Sequence, residues 1–252
     1  AAANQMLMNG KRSHHIVLND FDYRESGIFY RPKESNELFK HYDVSKVTIN
    51  PLEGFGDIED VVNVFARLTK KIVNIFSLLL DLDLSKGDKA AILSAISQFY
   101  VERTYWDSNA DKYPKRTQIV NIKDPKTYAT MGDFLNTFTT LMKKTLKDGL
   151  EMQADRINTL ESTLKQALDL HMSVLGRPTA IERSDAPQIY YDYAKIESIK
   201  MKQVQFLNTL EYILYTAEPG ETIFIHGMND LYEETVKMSK ESIISAQNRG
   251  VR

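Results

Sequence analysis

Cysteine is absent from this 252-residue sequence. The chain can therefore form neither a disulfide framework nor a thiolate metal site, and a reducing intracellular setting is the natural inference. Five histidines remain as candidate metal ligands. His14 and His15 are adjacent rather than one helical turn apart, and His171 has no histidine or carboxylate four residues later. The sequence therefore predicts no metal site.

A long apolar run is also missing. The longest strongly apolar stretch without charge is Ile72–Leu80, far short of the roughly 20 residues that a membrane-spanning helix needs. Ala1–Asn4 lacks the basic region and apolar core of a signal peptide and is a candidate cloning remnant. We expect no membrane span. The start without methionine and the ending at Arg252 predict that both ends were cut from a longer protein.

No charge of one sign dominates the chain. The 32 basic residues nearly cancel the 34 acidic ones, so the cationic excess that favours binding along a duplex is missing. DNA contact would have to be local, and no basic patch is evident in the sequence. With 42% hydrophobic residues, the chain can bury the core of one large domain or two smaller ones.

Several motifs of catalysis are missing as well. No glycine begins the phosphate-cradling pattern G-x-x-x-x-G-K-[ST], so the chain by itself is not a complete P-loop ATPase. Gly54-Phe55-Gly56 lacks the lysine of that loop and is typical of a turn, and Lys86–Lys89 is typical of a helix start. There is no H-E-x-x-H and no recognisable Ser-His-Asp set. We predict no catalytic residue.

What is present is a set of short apolar runs that predict strands. The predicted strands are Ile16–Asn19, Val47–Asn50, Ile189–Tyr191 and Thr222–Ile225. The first ends in Asn19-Asp20, as a buried strand does when it delivers polar side chains to the carboxyl edge of a sheet. Pro51 stops the second, because proline cannot continue a ladder.

Helical periodicity dominates the rest of the chain. Apolar residues from Ile58 to Leu79 recur at steps of three and four, which predicts one amphipathic helix. Ser85 stands three residues before Asp88 and predicts a capped helix from about Lys86. Further stripes run from Met131 to Thr145, Leu150 to Leu175, Met201 to Tyr215 and Asp230 to Gln247, with Gly149 between the first two and Gly176 and Pro178 closing the second.

These elements predict a helix-rich α/β fold with a partial RecA-like, mostly parallel sheet and a large all-α insert. We expect residues 1–50 and 178–252 to form the core that contains the sheet. Residues 51–177 are expected to form an all-helical bundle, because four amphipathic stripes in series can bury one another.

The order of these segments resembles the conjugal-transfer ATPases of type IV secretion systems, within the HerA–FtsK class of P-loop motors. In that family an early strand ends in a polar cluster, here Ile16–Asp22, and a short strand runs into an Asn-Pro-Leu or Asn-Pro-Phe motif, here Ile49–Leu52. The family then inserts an all-α domain and returns with a strand that has a polar end, here Gln188–Asp192. Glu221–Gly227 resembles the Walker B strand that follows.

The resemblance also implies a set of nucleotide-binding positions. The family's Walker B strand ends in an acidic pair that organises Mg²⁺ and the attacking water, but those places fall here on His226 and Gly227, which cannot act as carboxylates. By resemblance alone, the cofactor-binding residues are Asn19, Asp20, His226, Gly227, Asp230 and Arg249. Asp230 is also typical of a helix start. Arg249 falls where a basic residue near a subunit boundary is expected, and a solvated surface arginine is the alternative.

Two hypotheses of function follow from the resemblance. The first is a fragment of an oligomeric motor ATPase that powers DNA or protein export, uses ATP and Mg²⁺ in its full length, and has its P-loop before Ala1. The second is a catalytically degenerate, motor-derived module that docks secretion-channel or relaxosome partners. Both imply a cytoplasmic protein, peripheral at the inner face of the membrane through its partners. We expect this chain alone neither to bind ATP tightly nor to hydrolyse it.

Overall fold

The structure of the protein is a computed structural model. It describes residues 10–19, 38–80, 84–120, 122, 124–147, 154–182 and 184–252. Contacts divide the chain into two compact units. Residues 1–47 and 180–252 form the first, which we call the sheet unit, and residues 48–179 form the second, the helical unit. No helix within the described ranges is long and apolar enough to cross a membrane.

The sheet unit contains a four-stranded parallel sheet. Its strands are β1 (Ser13–Val17), β2 (Phe39–Asp43), β3 (Gln188–Asp192) and β4 (Thr222–His226). Their order across the sheet is β2-β3-β1-β4, and all three pairings are parallel. Every residue of β1 and β3, the two central strands, is buried, as expected for a parallel sheet with both faces covered. The predicted fold class is confirmed.

Two of the strand predictions need correction. The first strand begins at Ser13 and ends at Val17, earlier than predicted, because its polar residues are paired inside the sheet rather than solvated. Residues 47–50 are not a strand, and the backbone amide of Asn50 donates to the Thr179 hydroxyl at 2.9 Å instead of entering a ladder. The strand before the helical unit is β2, an edge strand that the sequence pattern missed because Lys40 and His41 are exposed.

The helical unit is built from five helices in the described residues. They are α1 (Val61–Leu79), α2 (Lys86–Glu102), α3 (Met131–Lys147), α4 (Ala154–Asp169) and the short α5 (Met172–Leu175). α1 packs on α2 and α4, and α3 packs between α2 and α4. Phe134 of α3 lies at the centre, with its ring 5.2 Å from that of Phe99 and 5.8 Å from that of Phe76. The predicted boundaries at residues 51 and 177 stay a prediction.

The starts of α1 and α2 follow the predicted signals. The apolar stripe from Ile58 becomes one turn of 3-10 helix, Ile58–Asp60, followed by α1. At α2 the Ser85 hydroxyl accepts from the Asp88 amide at 3.1 Å, and the Asp88 carboxylate accepts from the Ser85 amide at 2.9 Å. This is a reciprocal capping box. Arg156 of α4 binds the same carboxylate at 2.9 Å, so the cap also joins two helices.

Two helix predictions are corrected. The predicted stripe to Leu175 is broken, because α4 ends at Asp169 and α5 starts only at Met172; the start of that stripe at Leu150 and the break at Gly149 lie outside the described residues. In the sheet unit, the helix predicted at Met201 to Tyr215 is present as α6 (Ile199–Thr216), but it is not amphipathic. Every residue from Gln203 to Tyr215 is buried, including the polar ones. α7 (Glu233–Asn248) packs against α6.

Candidate functional site

The carboxyl edge of the sheet brings together most of the residues that the resemblance selected. Val17, at the end of β1, pairs with Asp192 on one side and with His226 on the other. Asn19 follows β1 by two residues, and Gly227 follows β4 directly. The parallel arrangement therefore places Asn19, His226 and Gly227 side by side. Asp20 lies outside the described residues.

His226 is hydrogen-bonded to a second histidine. Its Nε2 lies 3.2 Å from Nδ1 of His15, and Nε2 of His15 lies 3.0 Å from the Ser13 hydroxyl. The His15 ring is stacked between Tyr190 at 4.4 Å and Phe224 at 4.9 Å. Burial lowers the pKa of His226, so the imidazole is neutral at physiological pH. Mg²⁺ prefers oxygen ligands, and the neutral His226 imidazole, hydrogen-bonded to His15, supplies no carboxylate oxygen.

Gly227 is held in a conformation that favours glycine. Its φ is +80°, in the left-handed region that L-residues with a side chain seldom adopt. A Cβ at this position would lie 2.7 Å from Cγ and Nδ2 of Asn19. Backbone and neighbour therefore both disfavour a side chain where the family resemblance expects one member of the acidic pair.

Asp230 lies in a loop between β4 and α7 that is clamped by α6. The loop forms one turn of 3-10 helix, Met228–Asp230. The Gln203 side chain donates from Nε2 to the Asp230 carbonyl at 2.9 Å and accepts at Oε1 from the Tyr232 amide at 2.9 Å. The Asp230 carboxylate lies 3.9 Å from Nζ of Lys202. Gln203 was missed because a buried glutamine within a helical stripe carries no motif.

Arg249 is not brought to this edge. It follows α7 at the amino edge of the sheet, where the Gly220 amide donates to the Gly250 carbonyl at 2.9 Å and the Arg252 amide donates to the Glu221 carbonyl at 2.9 Å. Its Nη2 donates to the carbonyl of Leu214 in α6, and its guanidinium lies 4.7 Å from the ring centroid of Tyr215. Both contacts are with the same helix end, so within one chain Arg249 supports α6. Its predicted place near a subunit boundary stays a prediction.

An acidic pair does occur at the carboxyl edge, two strands away from β4. Asp43 and Asp192 end β2 and β3 and are direct partners across the sheet. Lys195 lies 2.9 Å from Asp43, and His41 lies 3.0 Å from Asp192. Burial would raise the pKa of Asp43, but hydrogen bonds from Ser45 and Lys195 outweigh it and lower that pKa. This pair was not predicted because the sequence pattern does not mark β2 as a strand.

Metal-ligating side chains do not converge in the described part of the chain. No group of three or more histidine, aspartate or glutamate residues there is arranged to hold a metal ion. Among the described residues of the carboxyl edge, Oδ1 of Asn19 is buried and has no hydrogen-bond partner. A single amide oxygen is a weak cation ligand by itself. The edge can border a ligand, but its described residues supply no carboxylate beside His226.

The amino edge of the sheet carries a buried ionic network. Glu221, just before β4, accepts from Nη1 of Arg12 at 3.1 Å and lies 3.0 Å from Nε2 of His14. The Glu218 amide donates to the same carboxylate at 3.1 Å. Burial would raise the pKa of Glu221, but hydrogen bonding to His14 and the charge of Arg12 outweigh it and lower that pKa. The network joins the starts of β1 and β4.

Comparison with solved structures gives a match over nearly the whole chain. No protein-family model matches the chain, and no curated protein matches it. Among solved structures, the chain is similar to VirB4 of Thermoanaerobacter pseudethanolicus, with 16% sequence identity and a TM-score of 0.64. The match covers 99% of this chain and 90% of that one. At this identity the likeness is one of fold, so this chain has a VirB4-like fold along nearly its whole length.

Proposed function

We propose that this chain is part of a motor ATPase of conjugative type IV secretion, which powers export of DNA or protein. The observation that carries the proposal is the VirB4-like fold over 99% of the chain. The parallel sheet and the helical unit between β2 and β3 are in the order that the family resemblance implies. The phosphate-binding loop, which this sequence does not contain, must then be supplied from outside these 252 residues.

In such a motor the carboxyl edge of the sheet would border ATP and Mg²⁺. Asn19, His226, Gly227 and Asp230 would line it, with Asp20 beside them by sequence. Arg249, at the opposite edge, would face a neighbouring subunit of a homo-oligomer. The motor would work at the inner face of the membrane, held there by channel proteins.

A specific observation favours a second candidate, a catalytically degenerate module that docks channel or relaxosome partners. Hydrolysis needs carboxylates beside the γ-phosphate, and the end of β4 offers a His15–His226 pair and a glycine where a side chain is disfavoured. In this candidate the helical unit is the docking surface and forms a domain of its own, with boundaries near residues 51 and 177.

Nucleotide binding separates the two candidates. Calorimetry with Mg-ATP and a phosphate-release assay on this chain are expected to show neither tight binding nor turnover, because it lacks the amides and the lysine of a P-loop. The decisive arm is the longest natural chain that contains these residues. Micromolar binding with turnover by that chain supports the motor, whereas binding without turnover, or no binding, supports the module.

The link to secretion is tested in donor cells. Deleting the coding region is expected to reduce conjugative transfer, and the unaltered gene restores it. Transfer that is unchanged by the deletion would contradict both candidates.

A further inference from the structure

The two ends of the helical unit are tied together by hydrogen bonds. The Thr48 hydroxyl donates to the Pro178 carbonyl at 2.6 Å, and the Asn50 amide donates to the Thr179 hydroxyl at 2.9 Å. Thr179 and Asn50 also hydrogen-bond the carboxyl group of Glu53. We call this set of bonds the clasp. It is the place where the chain enters and leaves the unit.

The turn that carries Glu53 is anchored from several directions. The Asn50 side chain accepts from the Leu52 amide at 3.1 Å and donates to the Ala129 carbonyl at 2.8 Å. The Tyr100 hydroxyl of α2 donates to the Leu52 carbonyl at 2.5 Å. These bonds fix the backbone, so Glu53 cannot leave its place without loosening the turn.

The carboxyl group of Glu53 is buried and only partly satisfied. It is only 4% exposed, and within the described ranges its Oε1 has no hydrogen-bond partner. Lys71 of α1 is the nearby cation, and its Nζ donates to the Glu53 carbonyl at 3.3 Å. The other titratable group facing it is Tyr128, before α3, whose hydroxyl also lacks a partner in the described part. A carboxylate with one unsatisfied oxygen is costly to bury.

We propose that Glu53 makes the clasp sensitive to protons: the clasp is closed when the carboxyl group is protonated and loosens when it is ionised. Burial is the largest influence on the pKa of Glu53 and raises it, although Thr179, Lys71 and Asn50 act in the opposite direction. Opening exposes Glu53 to water, where its pKa is ordinary. The closed clasp therefore binds the proton more tightly, so raising the pH favours opening.

The backbone amide of Asn50 reports on the clasp, because its acceptor is Thr179. Hydrogen exchange at this amide, corrected for the intrinsic rate at each pH, is measured on the whole chain from pH 5 to pH 8. The opening equilibrium is expected to rise by up to about tenfold per pH unit between the ordinary pKa of an exposed glutamate and the raised pKa of Glu53 in the closed clasp, and to level off above the raised pKa. Glu53→Gln is expected to abolish this rise, because the amide cannot ionise.

Two further variants sharpen the experiment. Glu161→Gln, in the middle of α4, is the matched control and should keep the wild-type pH profile. Thr179→Val removes the acceptor and should speed exchange at Asn50 at every pH. A flat profile in the wild type, or a rise that persists in Glu53→Gln, would overturn the proposal.

A direct titration covers the case in which Glu53→Gln does not fold. Carbon NMR of the Glu53 carboxyl group in the wild type gives its pKa. That pKa must coincide with the pH at which the rise in the opening equilibrium at Asn50 levels off. A mismatch, or a rise shared equally by all core amides of the unit, would show global destabilisation rather than a clasp and would also overturn the proposal.

Discussion

A Cβ at Gly227 would lie 2.7 Å from Cγ of Asn19, so the ends of β4 and β1 meet without room for a side chain. The φ of +80° adds backbone strain for any residue with a side chain. We expect Gly227→Ala to lower the free energy of unfolding by about 2–3 kcal/mol, with about 1–2 from the backbone and the rest from the contact. Urea unfolding measures this loss.

Gly220 supplies the matched control for that prediction. Its φ is +92°, and a Cβ there would meet nothing within 4 Å. Gly220→Ala should therefore show the backbone cost alone, about 1–2 kcal/mol. Adding Asn19→Ala to Gly227→Ala should recover the difference. Equal losses for the two glycine variants would contradict the role of Asn19.

Local signals account for the parts of the fold that were predicted correctly. The stripe from Ile58 to Leu79 and the Ser85–Asp88 pair act within one or two turns of helix, so sequence spacing alone locates them. The strands β3 and β4 were likewise predicted within one residue at each end. Each of these signals is complete within the segment that it describes.

The features that sequence reasoning missed depend on partners far along the chain. β2 has exposed polar residues and is a strand only because β3 lies beside it. Gln203 can be buried because its side-chain amide donates to the Asp230 carbonyl and accepts from the Tyr232 amide. The His15–His226 bond joins residues 211 positions apart. No local pattern predicts such pairs, so the grouping at the sheet edge could be proposed only from resemblance.

Thr104 is a second place where backbone conformation gives a prediction. It follows α2 with φ of +58°, and its amide donates to Val101 while the Tyr105 amide donates to Tyr100. This is the Schellman arrangement, in which glycine is usual at the position of Thr104. We expect Thr104→Gly to raise the free energy of unfolding by about 1 kcal/mol. Thr104→Ala keeps a Cβ and should give no comparable gain in thermal unfolding.

The amino-edge network predicts sensitivity to acid. Because the pKa of Glu221 is lowered in the folded state, its contribution to stability is present above its ordinary pKa, about 4.5, and is lost as the pH falls through the lowered value. Glu221→Gln should cost about 3 kcal/mol at pH 7, since it leaves Arg12 and His14 without their carboxylate. The variant and the wild type should converge as the pH falls below the lowered pKa of Glu221. A cost that does not change with pH would argue for lost packing instead.

The last prediction concerns independent folding of the helical unit. Residues 48–179 contain the Phe99–Phe134 core and both ends of the clasp, so a chain cut at these points keeps its own packing and end-to-end hydrogen bonds. We expect this segment to fold alone with helical circular dichroism and one cooperative unfolding transition. Trp106, the single tryptophan, is stacked on Phe65 at 4.1 Å and reports the transition by fluorescence.

Phe134→Ala, expected to cost about 3–5 kcal/mol, is the control for a packed core. A segment that is helical but unfolds without cooperativity, or whose transition ignores Phe134→Ala, would show that the unit needs the rest of the chain to fold.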